Sequence, residues 1–260
     1  MPQLGLGLGI QKRQNNGGGG PPAPWTDDYS YQFNGVDQYF ATPDDPVLNI
    51  TTELTISAWC KATASPPTGD GYIVDKFTTT GYALLHDLYF GNGRWAIYIG
   101  TTAGISRLRS SGTTTAGVWT HVAATYDSVT GNLELYINGA PDASMNAGAG
   151  NLLATNTVPL CLAHADNVLP PTGMYDGKLD EIAVWDVAMS PAEIASIYNA
   201  GSPDDLAIHP QAGNGVIWYR MGEGATWNGT DWLMPNAFNP GSNVATSDAM
   251  VFADRTADVP

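Results

Sequence analysis

The sequence predicts an all-β fold, an antiparallel two-sheet sandwich carrying one short helix, on three observations. Short runs of alternating apolar residues recur along the chain, each bounded by Gly, Asn, Asp, Pro or Thr. Asn-Gly dipeptides at 34–35 and 138–139 stand between such runs, where a tight hairpin turn calls for positive φ. Helix punctuation is strong in a single segment, residues 190–201. With 260 residues, 43% of them hydrophobic, the chain can build one large all-β domain or two small ones, and a domain of this size buries roughly 70% of its unfolded surface.

In order, residues 1–24 read as a flexible arm. LGLGLGI presents one apolar edge with little opposite it, and a Gly-rich tract with a proline end follows. Tyr31 and Phe33 alternate into Asn34-Gly35, and Tyr39 and Ala41 return. Strands follow at 54–62, 72–77, 82–87 and 95–99, then at 119–126, 133–138 and 158–163. The organising stretch is 173–201. Over 178–185, Leu179, Ala183 and Trp185 fall on one face and Asp180, Ile182 and Val184 on the other, as in a central strand buried on both sides. Ser190, Pro191 and Glu193 then form a capping box, Ile194, Ile197 and Tyr198 share a helical face, and Gly201 marks the stop. The following NGVIWYRMGEGATWNGTDW resembles a Tyr-Trp-Arg strand that opens many domains of one β-sandwich family; standing late in this chain, it is expected to close the sandwich, with a truncated second repeat as the alternative. The expected division is an arm over 1–24, a sandwich over 25–235 and an extended C-terminal arm over 236–260.

Ten basic against 25 acidic residues give a formal charge of −15, which disfavours nucleic acid and anionic lipid as partners. The sequence has no apolar window long enough for a membrane span. Lys12 and Arg13 follow the apolar start instead of preceding it, the wrong order for an export leader. Cys60 and Cys161 read as buried thiols, with a sheet-to-sheet disulfide as the alternative. His86, His121, His164 and His209 are scattered, and nucleophile, zinc and phosphate-loop patterns are missing. For sugars, aromatic rings supply stacking faces while carboxylates and amides take hydroxyls. Asp87, Asn92, Arg94 and Trp95 are the candidate set.

The segments YSYQFNGVDQYFATP, LTISAWCKA, GVWTHVAATYDSVTGNLELYINGAPDA and DGKLDEIAVWDVAMSPAEIASIYNAG, in that order, resemble the laminin-G-like, concanavalin-A-like jelly-roll domains. The resemblance implies a jelly roll and leaves function open, because the family hosts lectins, adhesive modules and virion parts. It implies a structural calcium held by Asp180 with backbone oxygens of the Asn34-Gly35 turn. The alternative is that Asp180 only caps backbone amides. Related hydrolases carry Glu-x-Asp-x-x-Glu on one strand. This chain lacks it, and the adjacent Asp180 and Glu181 are expected on opposite faces. The Leu-Gly start and the Asp-Val-Pro end resemble laminin-G-like structural proteins of tailed phages. The expectation is therefore a non-enzymatic virion protein, in capsid decoration, tail or fibre. It would be made in the host cytoplasm, contact other virion proteins or copies of itself through its arms, and present a glycan-binding sandwich. A free carbohydrate-binding module is the alternative, and a glycoside hydrolase the more distant one.

Overall fold

The computed structural model describes residues 25–63, 69–87, 93–151, 153–165 and 173–260. The strands are β1 Ser30–Asn34, β2 Tyr39–Thr42, β3 Glu53–Ala62, β4 Gly71–Phe77, β5 Gly81–Asp87 and β6 Arg94–Thr101. They continue as β7 Gly104–Arg109, β8 Thr120–Asp127, β9 Asn132–Ile137, β10 Ala140–Asn146, β11 Leu160–Leu162 and β12 Asp176–Trp185. Helix α1 spans Pro191–Tyr198, and β13 Gly215–Tyr219, β14 Thr226–Trp227, β15 Trp232–Met234, β16 Ala245–Asp248 and β17 Arg255–Thr256 complete the chain.

These strands form two antiparallel sheets. One has the order β10-β9-β8-β3-β12-β1-β17, with β13 also paired to β12; the other runs β14-β15-β16-β2-β11-β4-β5-β6-β7. Between them lies one apolar layer that includes Phe33, Phe40, Ile56, Leu84, Ile97, Leu135 and Trp232. The helix lies on the outer face of the first sheet. Ile194 and Ile197 pack there with Tyr136, Trp185 and Trp218 in a second apolar cluster, and Tyr198 stacks on Trp59 with ring centroids 5.6 Å apart. The capping box forms as the sequence predicts: Ser190 Oγ accepts from the Glu193 amide, and the Ser190 amide donates to the Glu193 carboxylate. The helix ends two residues before Gly201, at Asn199 in the left-handed region.

Three expectations change. Residues 236–260 are not a free arm: β16 pairs with β2, β17 pairs with β1, and Asp258 ion-pairs with Lys61 and Lys178. The tail's apolar residues are few, Ala245 and Met250 in the core and Phe252 stacked on Trp232, and sheet-edge hydrogen bonds to β1 and β2, which its composition does not reveal, complete its fit. The strict alternation in β12 also fails. Asp180 pairs with Trp59 but Ala183 with Ser57, so β12 carries one extra residue at a bulge, and Glu181 there has φ 45°. Leu179 therefore joins Ile182 and Val184 in the inter-sheet core, while Ala183 and Trp185 face the helix. Finally, the bulge removes the reason for placing Asp180 and Glu181 on opposite faces, since the two side chains converge. NGVIWYR does close the domain, as β13 beside β12. Cys60 and Cys161 are buried thiols on opposite sheets, with no disulfide between them. The arm expected over 1–24 lies outside the described residues.

Candidate functional site

Two places on the sandwich gather polar groups. The first is a crevice where the first sheet forks. Up to Leu179, β12 pairs with β1; from Ile182 it pairs with β13, and the bulge at Asp180–Glu181 sits between. Asp27, ahead of β1, and Glu223, in the turn after β13, reach the same point. One carboxylate oxygen from each of Asp27, Asp180, Glu181 and Glu223 lies within 4.8 Å of the others.

The hydrogen bonds sort these four groups. The Trp218 indole N–H donates to Glu181 Oε2, and Arg220 Nε donates to Glu181 Oε1 at 3.2 Å, so both Glu181 oxygens have a donor and Arg220 supplies the opposing charge. Arg220 also donates to the Thr26 carbonyl and stacks over Trp25 at 5.0 Å, which fastens the lead segment across the fork. Glu223 Oε1 accepts from the amides of Asp28 and Tyr29 at 2.7 and 2.8 Å. Asp180 Oδ1 accepts from the Glu181 amide at 2.8 Å. Four buried oxygens are left without a partner: Asp27 Oδ1 and Oδ2, Asp180 Oδ2 and Glu223 Oε2. Asp180 itself is 0% exposed. Burial, with Glu223 nearby, pushes the Asp27 carboxyl up to about 7. Burial drives Asp180 well above the usual carboxylate range, with Glu181 adding to the shift, and raises Glu181 against the opposing pull of Arg220.

The calcium ligands expected from the sequence do not assemble. Asn34 pairs with Asp176, four register positions from Asp180, or about 13 Å along a strand. The Asn34 side chain is engaged in its own turn, accepting from the amides of Val36 and Asp37 and donating to Asp37. Gly35, at φ 67°, lies against Asp176, where a Cβ would stand 2.7 Å from that side chain. Asp180 instead meets Asp27, Glu181 and Glu223. Sequence reading missed these partners because Asp27 and Glu223 are isolated acids in irregular segments, and the bulge that turns Glu181 toward them has no glycine to announce it.

The second place is a cleft of about 180 Å³ between the sheets at one end of the sandwich. Trp95, Ser110, Thr113, Thr114 and Thr115 line it together with Val118, Thr120, Ile137, Asn138 and Asp142. Of the expected sugar-binding set, Trp95 lines this cleft, though its ring is largely core at 4% exposed. Arg94 points the other way along β6 and holds the loop rim, donating to the Ser110 and Ser111 carbonyls. Asp87 is buried and ion-paired with Arg107 and Arg109, away from the cleft lining. Asn92 lies outside the described residues. The threonines were visible in the sequence as Thr-Thr-Thr at 113–115, a run that reads only as loop until β8 and β10 are set beside it.

A two-sheet antiparallel sandwich with one helix on its outer face, closed by a strand from the end of the chain, places this protein among the lectin-like jelly rolls. Residues 34–195 match the model of the Concanavalin A-like lectin/glucanases superfamily, and the chain belongs to that family. Among solved structures it is similar to a putative carbohydrate binding protein from Bacteroides ovatus, with TM-score 0.68 and 17% identity over 90% of this chain and 61% of that one. It is also similar to the heptameric SAP-like pentraxin of Limulus polyphemus, with TM-score 0.52 and 15% identity over 81% and 93% of the two chains. The CBM40 of Ruminococcus gnavus IT-sialidase, bound to α2,3-sialyllactose, matches with TM-score 0.52 and 14% identity, over 65% of this chain and 96% of that one. These likenesses show the fold. Rat C-reactive protein is 28% identical over 85 residues, 30% of this chain. The mouse sushi, von Willebrand factor type A, EGF and pentraxin domain-containing protein 1 is 22% identical over 187 residues, 67% of this chain. The matches span 36% and 5% of those relatives' own lengths.

Proposed function

We propose that this chain is a non-enzymatic glycan-binding domain, with the threonine-lined cleft as its sugar site. The observation that carries the reading is the cleft's chemistry. Thr113, Thr115, Asn138 and Asp142 line it together with Val118, Ile137 and Trp95, the mixture a sugar ring's hydroxyls and C–H faces require. Asn138 Oδ1 also accepts from the His121 amide, and the Asp142 carboxylate from the Ser111 amide and hydroxyl, which leaves the threonine hydroxyls as the first donors a sugar would meet. At about 180 Å³ the cleft takes one ring of a glycan, the remainder lying over the rim. The fold is shared with a carbohydrate binding protein of Bacteroides ovatus and with the sialyllactose-bound CBM40 of Ruminococcus gnavus, which supports the assignment. Asp142 is the only carboxylate among the cleft's described lining residues, whereas glycoside hydrolysis needs a pair roughly 5 to 10 Å apart across an open cleft. The acidic crevice packs its carboxylates too tightly to admit a sugar between them.

A glycan array followed by calorimetry on the best binder tests the reading. Thr113→Ala with Thr115→Ala, and separately Asp142→Ala, should lower affinity at least tenfold while the melting temperature holds. Failure of every glycan to bind, or equal binding by the variants, overturns it. The particle on which such a domain would sit is a phage virion, where its partners would be other virion proteins or copies of the chain. With residues 236–260 folded into the sandwich, that placement is supported by the apolar Leu-Gly lead over 1–24. Deletion of 1–24 should leave a folded domain that no longer attaches to particles, and undiminished attachment would refute the placement.

A further inference from the structure

We propose that the hollow beside Lys61 and Lys178, on the outer face of the first sheet, binds a sugar that carries a carboxylate, a uronic acid, and that the chain's own Asp258 is a displaceable stand-in for that carboxylate. The site is separate from the threonine cleft and does not depend on it.

Register brings the two lysines together. Lys61 on β3 and Lys178 on β12 stand directly opposite one another, and Gln32 on β1 is next in the same row. Their neighbours Cys60 and Leu179 point into the inter-sheet core, so both lysines point outward. Like charges facing each other across a strand pair destabilise a sheet, and this chain places two of its 10 basic residues in that relation. The anion between them is Asp258. Its Oδ2 accepts from Lys61 at 2.8 Å and from Lys178, and its Oδ1 accepts from Lys61 at 3.0 Å and from the Trp119 indole N–H at 3.1 Å. Both oxygens of one carboxylate are thus met by charged or indole donors, the contacts a ligand carboxylate requires. Burial alone would raise the Asp258 carboxyl, but the hydrogen bonds from Lys178, Lys61 and Trp119 hold it below the ordinary range, so the seat selects an ionised group.

Three observations set this seat apart from an ordinary surface ion pair. A hollow of about 340 Å³ opens beside it, with Gln32, Thr63, Ala116 and Gly117 among its lining residues, enough for a sugar ring. Of the residues lining the hollow, two lysines against one aspartate leave one positive charge, in a chain whose formal charge is −15. Donors, acceptors and a ring are also to hand. The Lys178 ammonium gives Asp258 one hydrogen bond and has further N–H groups to offer, while Gln32 donates to the Phe33 carbonyl and keeps Oε1 for a sugar hydroxyl. The partly exposed Trp119 ring, 5.9 Å from Lys61 Nζ, supplies a face for C–H groups. The stand-in is loosely held. Asp258 follows β17, its carbonyl accepts from the Ser30 hydroxyl and its amide donates to Thr256 Oγ1 at 3.3 Å, and its side chain is 36% exposed. Ion pairs at that exposure are weak, so an incoming carboxylate can take the seat with only this short segment moving.

Calorimetry with methyl β-D-glucuronide and its neutral counterpart methyl β-D-glucoside tests this on the full chain. Asp258→Asn, which keeps the shape of the side chain, should bind the glucuronide at least tenfold more tightly than the parent and gain nothing for the glucoside. Adding Lys61→Gln and Lys178→Gln to Asp258→Asn should abolish the gain, with melting temperatures confirming that every chain folds. The chains compared differ only at this seat, so sugar binding at the threonine cleft cancels and the two readings fail separately. No glucuronide binding by Asp258→Asn at millimolar ligand, an equal affinity in the parent, or a gain that survives loss of both lysines would overturn the proposal. A gain for acetate as large as that for the glucuronide would overturn it equally, leaving a seat for any small anion and no sugar site.

Discussion

Replacing Lys76 by Met should unfold this sandwich more readily than any loss of a surface ion pair could. Lys76 lies on β4 with its side chain 1% exposed, and its ammonium donates to Asp44 Oδ1 at 2.8 Å, Asn156 Oδ1 at 2.8 Å and the Val158 carbonyl at 2.7 Å. It thereby ties the chain on either side of residue 157 to the second sheet. The Asp44 side chain is 30% exposed, so on losing its partner it is rehydrated, and that share of the pair is worth about 1 kcal/mol or less. The Asn156 and Val158 acceptors are partly buried, and Asn156 Oδ1 keeps the Val158 amide at 3.3 Å, so together they lose about 1–3 kcal/mol. Relief from burying the ammonium offsets part of this. The sum is a loss of about 2 kcal/mol for Lys76→Met. For a domain of this size that is about 4–8 °C in melting temperature. Urea unfolding with calorimetry measures both, and Asp44→Asn serves as the internal comparison at about 1 kcal/mol or below. A Lys76→Met loss under about 1 kcal/mol, or an equal loss in Asp44→Asn, would show that the Asn156 and Val158 acceptors find other donors and would refute the reasoning.

Gly139→Ala should cost about 3 kcal/mol in urea unfolding, because φ is 74° there and a Cβ would stand 2.7–2.9 Å from the Tyr198 ring that is stacked on Trp59; a neutral substitution would mean that the helix is free to shift. Burial holds the His86 imidazole down at about 4, below its usual 6.5, with Thr114 as its hydrogen-bond partner at 2.9 Å. The unfolded chain therefore takes up that proton first as pH falls, and the stability His86 contributes is intact above about 6.5 and lost progressively toward 4. That loss is about 2–3 kcal/mol by pH 4.5, which His86→Gln should abolish; parallel pH profiles for the two proteins would contradict it. Asp258→Asn removes the shared partner of Lys61, Lys178 and Trp119 at a side chain 36% exposed, so it should cost no more than about 1 kcal/mol, with the difference vanishing in 1 M salt. A larger, salt-independent loss would mean that the tail is held by packing.

Local chemistry was legible in the sequence wherever neighbours along the chain settle it. The capping box at Ser190 and Glu193, the Asn138-Gly139 turn and the alternation of Leu133 and Leu135 each depend on residues a few positions apart, and each forms as read. Trp95 lines the cleft, and as an aromatic ring beside a turn it was visible in sequence. Thr113, Thr114 and Thr115 gained meaning only when the fold set them beside Trp95, Ile137 and Asp142.

Tertiary structure decided the rest, for one physical reason: β pairing joins residues far apart in sequence, and register is a property of the pair. The bulge at Glu181 arises because β12 must satisfy β3 along its whole length while changing partner from β1 to β13 on the other side, a conflict invisible within 176–185 alone. That single extra residue moved Leu179 into the core and brought Asp180 and Glu181 together with Asp27 and Glu223. The tail likewise could not be assigned from its own composition. Its strands exist because the edges of β1 and β2 supply the hydrogen-bond partners, and Lys61 and Lys178, from β3 and β12, wait for Asp258. The sequence alone determined the fold class, the α-helix at Pro191–Tyr198 and the family resemblance. Which carboxylates meet, and whether the tail is an arm or part of the sheet, was settled by the folded register.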